Sequence, residues 1–256
     1  LKVQDGCDYK CSFCTIPKAR GKSRSNEIQY IIEKINNLKK KGIKEIVLTG
    51  INIGDFRNNK NEKLIDLLHE INQMTNIRVR LSSIEPNLLS EEIIDIFSDS
   101  KVLVPHFHIP LQSGSDTILG LMKRRYNTKT YKKVIELINN KINNPCIGVD
   151  VIVGFPGESN MEFNKTLSFL KSLNVSYLHV FSYSPREKTE AINFDKQVKI
   201  EDKKHRSMVL RNLSEKKKFL FYKKNIGSTK KVLFENKNIN GYIYGYSENY
   251  IKVKSK

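Results

Sequence analysis

Three of the four cysteines of this 256-residue chain lie within eight residues, at Cys7, Cys11 and Cys14. Thiolates spaced this closely can converge on one metal centre. Iron–sulfur clusters are held by cysteine thiolates, and three thiolates would leave one iron with an open position. Catalytic metal sites keep such a position open, whereas structural sites close it. The spacing therefore predicts an iron–sulfur cluster that binds a substrate at its open iron.

Two other interpretations of the cysteines remain open. A disulfide with one spare thiol would need an oxidising compartment, and the small number of cysteines favours the reducing cytoplasm instead. A structural zinc site would need a fourth ligand, and the next candidate along the chain is His69. The chain begins at Leu1, only six residues before Cys7, which predicts a fragment or an excised domain.

The charge of the chain is strongly positive, with a formal net charge of +18 and a pI near 9.6. Such a balance favours a polyanionic partner, usually RNA or DNA. The alternative is a lysine-rich solvated surface from a genome with biased composition. The sequence contains no apolar run of about eighteen residues, so we expect no membrane span.

Short apolar runs alternate with helical patterns over residues 1–195, which predicts an α/β fold with a parallel sheet. Six strand–helix units fit an incomplete TIM-type (β/α)6 barrel, with active-site residues at the carboxyl ends of the strands. Several strands are polar on one face, and this face is expected to line a cavity. The alternative is an open sheet whose polar face meets solvent. Capping boxes are predicted at Asn26 with Gln29 and at Ser159 with Glu162.

The alternation of strands and helices ends after the predicted barrel. Residues 199–224 read as one helix with ten Lys or Arg and three acidic residues, within a linker over 196–225. Residues 226–256 read as short strands of a small, truncated β-barrel in which Tyr242, Tyr244 and Tyr246 alternate. Aromatic and basic residues together suit stacking of unpaired bases and phosphate contact. The alternative is that these tyrosines form the core of the small barrel.

The cysteine segment, with Phe13 before Cys14, resembles the signature of the radical S-adenosylmethionine (SAM) enzymes. Further segments resemble the methylthiotransferases of that superfamily: 4–7, 17–25, 48–52, 108–116 and 153–158. Among these, Leu48-Thr49-Gly50-Ile51 looks most like the enzymes that act on threonylcarbamoyladenosine in tRNA. The C-terminal strands resemble the RNA-binding TRAM domain of the same family but stop short of its last strands.

The resemblance implies a 4Fe–4S cluster on the three cysteines, with SAM on its unique iron. It also implies cofactor-binding candidates among the strand ends: Phe13, Thr49, Gly50, Ser82, Glu85, Gln112, Ser113, Arg125, Asp150, Val153 and Gly154. Aromatic and basic residues of the C-terminal strands are the RNA-binding candidates: Lys230, Lys231, Tyr250 and Lys252. The expected partners are tRNA and an electron donor such as flavodoxin or ferredoxin.

The function implied by the resemblance is methylthiolation of threonylcarbamoyladenosine beside the anticodon. The family uses a second 4Fe–4S cluster in an N-terminal domain, which we expect to be absent from this chain. Two further substrates stay open within the family: isopentenyladenosine in tRNA and an aspartate of a ribosomal protein. An RNA-binding protein with a structural metal and no turnover is the alternative from another class.

Overall fold

The computed structural model describes residues 1–236 and 238–256. Its strands are β1 (Gln4–Asp5), β2 (Arg24–Ser25), β3 (Glu45–Leu48), β4 (Arg78–Leu81), β5 (His106–His108), β6 (Cys146–Val153), β7 (Tyr177–Ser182), β8 (Val232–Ile239), β9 (Tyr242–Ser247) and β10 (Lys252–Ser255). Its helices are α1 (Ile16–Arg20), α2 (Ile28–Lys40), α3 (Leu64–Asn72), α4 (Glu91–Asp99), α5 (Asp116–Leu121), α6 (Thr128–Lys141), α7 (Asn160–Ser172) and α8 (Ile200–Lys224). None of the helices described here offers an apolar stretch long enough to cross a bilayer.

The parallel strands follow one another in chain order. β3 pairs with β4, and β5, β6 and β7 pair in sequence, all parallel. Isolated parallel bridges extend this order: Lys2 to Thr49, Val79 to Leu103, and Ser83 to His108. No pairing joins the first segment to β7 within the described residues, so the sheet is not closed into a full barrel.

The alternation in β6 divides this strand between the apolar core and a polar face. Ile147, Val149, Val151 and Val153 are at most 1% exposed and belong to the main core. Asp150 lies on the other face and is half-buried. This division agrees with the sequence pattern, because successive side chains of a strand point to opposite faces. The polar face of the sheet therefore carries the side chains that are available for chemistry.

The long helix α8 packs along β7, with Leu210 fully buried against the main core. β7 has a sheet neighbour on one side only, so the backbone groups on its other side need different partners. Ser214 Oγ accepts a hydrogen bond from Leu178 N at 2.8 Å and donates one to Leu178 O at 3.0 Å. A helix side chain thus takes over part of the hydrogen bonding of the edge strand.

The C-terminal strands form an antiparallel sheet in the order β10-β9-β8, and this sheet docks on the parallel one. Arg78 of β4 donates to Tyr246 O at 3.2 Å and to Ser247 O at 2.9 Å. The Arg80 guanidinium lies 4.3 Å from the ring centroid of Tyr250. The two sheets are therefore joined by hydrogen bonds and by a cation–π contact.

Both predicted capping boxes were wrong in detail. The helix α2 has Glu27 at its N-cap position, and Asn26 instead donates to Lys2 O at 3.3 Å. Ser159 does cap α7 by accepting from Glu162 N, but the Glu162 carboxylate hydrogen-bonds Ser115 and Lys165. The Glu162 carboxylate thus binds a residue 47 positions away in the sequence instead of the backbone N–H of Ser159, as a capping box would require.

Candidate active site

The three clustered cysteines lie on a loop that the short β1–β2 pair closes at its base. Gly6 has φ of +72°, and a Cβ there would lie 2.0 Å from Lys22 O. The neighbouring Cys7 N donates to Gly21 O at 3.1 Å. Only glycine fits this close approach of two backbone segments, so Gly6 fixes where Cys7 begins the loop.

Each of the three thiols receives one donor group. Tyr9 N lies 3.4 Å from Cys7 Sγ, and Ile16 N lies 3.4 Å from Cys14 Sγ. Arg124 Nη1 lies 3.2 Å from Cys11 Sγ. Burial raises the pKa of Cys7, and it raises the pKa of Cys11 against the opposing effect of Arg124. The donors suit thiolates, and hydrogen bonds to sulfur are one of the means by which proteins tune clusters.

The spread of the sulfurs bears on which metal they hold. A tetrahedral zinc with Zn–S bonds of about 2.3 Å keeps its sulfurs about 3.8 Å apart. Within the described part of the chain, the group of metal-binding side chains whose ligand atoms all lie within 4.8 Å of one another is His108, Asp150 and His179, not the cysteines. The three thiols are thus spread more widely than a single zinc ion requires, which fits a cluster of several irons.

Arg124 links the cysteine loop to the strand ends. Its side chain is 4% exposed, forms an ion pair with Glu85 and donates through Nε to Tyr126 Oη at 3.1 Å. The Tyr126 hydroxyl in turn donates to Pro110 O at 2.8 Å. Burial raises the pKa of Glu85, and Arg124 opposes that rise. Glu85, predicted as a cofactor residue, is therefore already engaged in positioning the guanidinium beside Cys11.

Three predicted cofactor residues lie at the carboxyl ends of β3 and β4. Thr49 is exposed and its backbone pairs with residues 1–3, while a Cβ on Gly50 would lie 2.8 Å from Gln4 Oε1. Ser82 Oγ is buried and has no hydrogen-bond partner among the described atoms. A buried hydroxyl without a partner at the end of β4 is available for a ligand.

Gln112 and Ser113 follow β5, and they differ in whether the side chain is free to bind a cofactor. Gln112 adopts φ of +66° and pairs with β6 through Asp150 O and Ile152 N, both at 2.9 Å. Ser113 is fully buried, and its hydroxyl lies 3.1 Å from Thr166 Oγ1. The Ser113 hydroxyl therefore has a structural partner, whereas the strained backbone at Gln112 directs its side chain away from a regular strand position.

Side chains of α8 contact the turn that follows β6. Val153 is buried in the core, and Gly154 N donates to Glu158 Oε1 at 2.8 Å. Glu158 Oε1 also accepts from Arg206 Nη1 at 2.7 Å. Gly154 has φ of +73°, and a Cβ there would lie 2.3 Å from Lys203 Cγ. Lys203 thus packs over Gly154, and residues of α8 hold the turn at the end of β6.

Phe13 and Arg125 both hold the cysteine loop in place. Phe13 packs edge-on to Phe155, with ring centroids 6.2 Å apart, in a small apolar cluster separate from the main core. The Arg125 guanidinium lies 3.9 Å from the ring centroid of Tyr9. Their contacts here are with protein side chains that flank the three thiols.

Asp150 lies next to two histidines that the sequence analysis did not connect with it. His108 Nε2 is 2.8 Å from Asp150 Oδ1, and the rings of His108 and His179 stack with centroids 5.2 Å apart. Burial lowers the pKa of His179, and the neighbouring His108 lowers it further. Both imidazoles line a cavity of about 480 Å³ between β6, β7, α8 and the C-terminal sheet.

The four predicted RNA-binding residues fall into two places. Tyr250 and Lys252 line the same cavity as the histidines, and Tyr250 packs against His106 with ring centroids 4.6 Å apart. Lys230 and Lys231 line a different cavity of about 570 Å³. Lys252 and Lys254 lie over the rings of Tyr244 and Tyr242 at 5.1 and 4.8 Å. Basic and aromatic residues therefore share one face of β9 and β10.

Sequence reasoning missed Arg124 and Asn52. The Asn52 side chain is 4% exposed, and neither its nitrogen nor its oxygen has a partner within the described structure. No spacing rule links Arg124 to Cys11, which is 113 residues away. The one available signal for Asn52 was its position just after Thr49-Gly50 at a strand end.

Comparison with known proteins identifies a family that has this kind of cysteine loop and this fold. Residues 1–170 match the model of the radical SAM superfamily. The chain belongs to this superfamily. A 4Fe–4S cluster and SAM are the cofactors of the superfamily and therefore of this chain, as the resemblance of the cysteine segment implied.

Within the radical SAM superfamily, the chain is similar to methylthiotransferases. It is 40% identical to the threonylcarbamoyladenosine tRNA methylthiotransferase MtaB of Aquifex aeolicus, over 87% of this chain and 54% of that protein. It is 33% identical to the tRNA-2-methylthio-N(6)-dimethylallyladenosine synthase of Bdellovibrio bacteriovorus, over 77% of this chain and 44% of that protein. The predicted resemblance is thereby confirmed, and the chain spans about half the length of these relatives.

The fold is also found in a solved radical SAM structure. The methyltransferase TsrM of Kitasatospora setae superposes with a TM-score of 0.64 at 15% identity, covering 75% of this chain and 35% of that one. This similarity confirms the radical SAM α/β fold.

Proposed function

We propose that this chain is the catalytic part of a methylthiotransferase that converts threonylcarbamoyladenosine, beside the tRNA anticodon, to its 2-methylthio derivative. The observation that carries the proposal is the 40% identity to a threonylcarbamoyladenosine tRNA methylthiotransferase over most of the chain. The relative that acts on dimethylallyladenosine, at 33% identity, makes this base the second candidate substrate. The small number of cysteines agrees with a reaction in the cytoplasm.

The proposed architecture has three parts. Residues 1–195 form the catalytic unit, as an incomplete TIM-type barrel of six parallel segments; the chain-order pairing of β3 to β7 supports this. Residues 196–225 form the basic linker helix. Residues 226–256 form part of a TRAM-like RNA-binding unit, supported by the three antiparallel strands β8 to β10.

Cys7, Cys11 and Cys14 would hold the cluster, and SAM would occupy its remaining iron. When bound, the two cofactors supply the 5′-deoxyadenosyl radical and the methyl group of the reaction. Arg124 holds Cys11 and places positive charge beside it, so it favours the more negative form of the cluster. Electrons would come from a carrier such as flavodoxin or ferredoxin.

The residues around the cluster loop would orient SAM. Asn52 and Ser82 offer buried polar atoms without protein partners, which suit the amino and carboxylate groups of the methionine part. The turn at Gly154 lies at the carboxyl end of β6, near which the adenine part of SAM would bind. The Phe13 and Phe155 contact closes this side against water.

The anticodon region of tRNA would bind across the C-terminal sheet. The alternating tyrosines and lysines of β9 and β10 give stacking surfaces and charges for phosphates. Lys230 and Lys231, which line the cavity of about 570 Å³, would add further phosphate contacts.

Nucleoside mass spectrometry on total tRNA tests the proposal, using source cells with and without the full-length gene. We expect 2-methylthio-threonylcarbamoyladenosine to disappear and its precursor to accumulate. Rescue by the wild-type gene and not by a Cys7→Ala gene would assign the reaction to this loop. Selective loss of the methylthio derivative of isopentenyladenosine would transfer the function to the second substrate. An unchanged tRNA profile would refute tRNA methylthiolation and favour a ribosomal protein substrate or a non-catalytic metal protein.

A further inference from the structure

Apart from the cysteine loop, three side chains with metal-binding atoms meet on three adjacent strands. His108 ends β5, Asp150 lies in β6 and His179 lies in β7. Asp150 and His179 are direct partners in the parallel register. His108 pairs with Gly148, two residues before Asp150 and therefore on the same face of β6. The register of the sheet itself brings the three side chains together.

The ligand atoms of these side chains are close enough to share one ion. They all lie within 4.8 Å of one another, and His108 Nε2 is 2.8 Å from Asp150 Oδ1. A tetrahedral zinc ion with bonds of about 2.0–2.2 Å keeps such atoms about 3.4 Å apart. Small rotations of the side chains would bring all three atoms to bonding distance without moving the strands.

A hydrogen bond between one histidine and one aspartate does not account for the second histidine at this place. His108 already contacts Asp150 Oδ1 at 2.8 Å, yet the imidazole of His179 stacks on that of His108 at an interplanar angle of 16°. The His179 ring forms no hydrogen bond with any other described residue, although it lies beside the carboxylate. Two imidazoles facing one carboxylate are accommodated together when all three ligate a cation.

We propose that His108, Asp150 and His179 bind one divalent ion of the zinc class, separate from the iron–sulfur cluster. Two histidines and one carboxylate are the protein ligands of a known type of catalytic zinc site, in which the fourth position stays open. Both histidines line the cavity of about 480 Å³, so the fourth position would face a space large enough for water or an oxygen ligand. Ligands on three hydrogen-bonded strands are also held more precisely than ligands on loops.

The test uses anaerobically prepared protein with its cluster reconstituted, incubated with Zn²⁺ and separated from unbound metal. Zinc and iron are then counted separately by mass spectrometry. We expect about one zinc per chain beyond the iron of the cluster. His108→Gln, Asp150→Asn and His179→Gln should each weaken zinc binding by about 100-fold or more while the iron content stays that of the wild type, because each removes one of three ligands.

His205→Gln is the matched control, because His205 is exposed on α8 and is not among the residues that line the cavity. It should bind zinc as the wild type does. X-ray absorption at the zinc edge should show nitrogen and oxygen neighbours. Absence of zinc from the wild-type protein, unchanged binding by His179→Gln, or sulfur neighbours around the zinc would each overturn the proposal. None of these measurements depends on methylthiolation, so the proposed function and this site can fail independently.

Discussion

Replacing Arg206 by methionine is expected to destabilise the chain by about 3–5 kcal/mol, the usual cost of leaving a buried charge without its partner. The Arg206 and Glu158 side chains are 5% and 1% exposed, and their ion pair is 2.7 Å long. Arg206 also donates to Glu158 O and to Asn160 Oδ1, both at 2.9 Å. The substitution removes three hydrogen bonds and leaves a carboxylate in the protein interior.

The size of this effect should depend on pH. Burial raises the pKa of Glu158, and Arg206 opposes that rise. Without Arg206 the folded-state pKa rises further above that of the unfolded chain, so the variant binds a proton more readily when folded. A raised folded-state pKa gives stability that is lost as pH increases. The difference between variant and wild type should therefore grow from pH 5 to pH 8.

Denaturant unfolding followed by circular dichroism under anaerobic conditions measures the difference. Arg211→Met is the matched control, because Arg211 is exposed on the same helix. It should change stability by no more than about 0.5 kcal/mol. In the Glu158→Gln, Arg206→Met double variant, the loss should be smaller than the sum of the single losses. An Arg206→Met protein as stable as Arg211→Met would refute the reasoning.

Three further predictions concern the loop, the sheet contact and one carboxylate. Gly6→Ala should bind markedly less iron than wild type, because its Cβ meets a backbone carbonyl at 2.0 Å. Gly42→Ala, after α2, with φ of +85° and no atom within 4 Å of the new Cβ, should keep its iron and lose only about 1–2 kcal/mol. Tyr250→Ala should lose about 1–2 kcal/mol through its contact with the Arg80 guanidinium, and hydrogen exchange should rise in β4 and β10. Hydrogen bonds lower the pKa of Glu162, so its stabilising effect is complete above about pH 4.5 and is lost as pH falls through the lowered value. Unfolding of Glu162→Gln should therefore vary less with pH in this acid range, and an unchanged pH profile would contradict the assignment.

The elements with strong periodicity were predictable because their patterns are local. β6 shows strict alternation, and the structure places Val149 and Val151 in the core and Asp150 opposite. The helix α8 was also expected, over 199–224, and covers Ile200–Lys224, although its apolar residues do not gather on one face. The cysteine spacing indicated the cluster for the same reason, since its three proposed ligands lie within one loop.

The contacts that complete the site were not predictable, because they join distant parts of the chain. Glu162 looked like half of a capping box, but its carboxylate binds Ser115 on another element. Arg124 carries no motif that would connect it with Cys11. Tyr250 was selected for RNA by composition alone, whereas its ring lies on Arg80 and beside His106. Tertiary contacts between distant segments decide these positions, and the periodicity of a single sequence contains no information about such contacts.

The contact between Ser214 and Leu178 has a consequence for self-association. An edge strand with open amides and carbonyls is a template on which a second molecule can add its own strand. At Leu178 both backbone groups are occupied by one hydroxyl, and the bulk of α8 covers the approach. The helix thereby protects an unclosed sheet from edge-to-edge aggregation while leaving its polar face accessible.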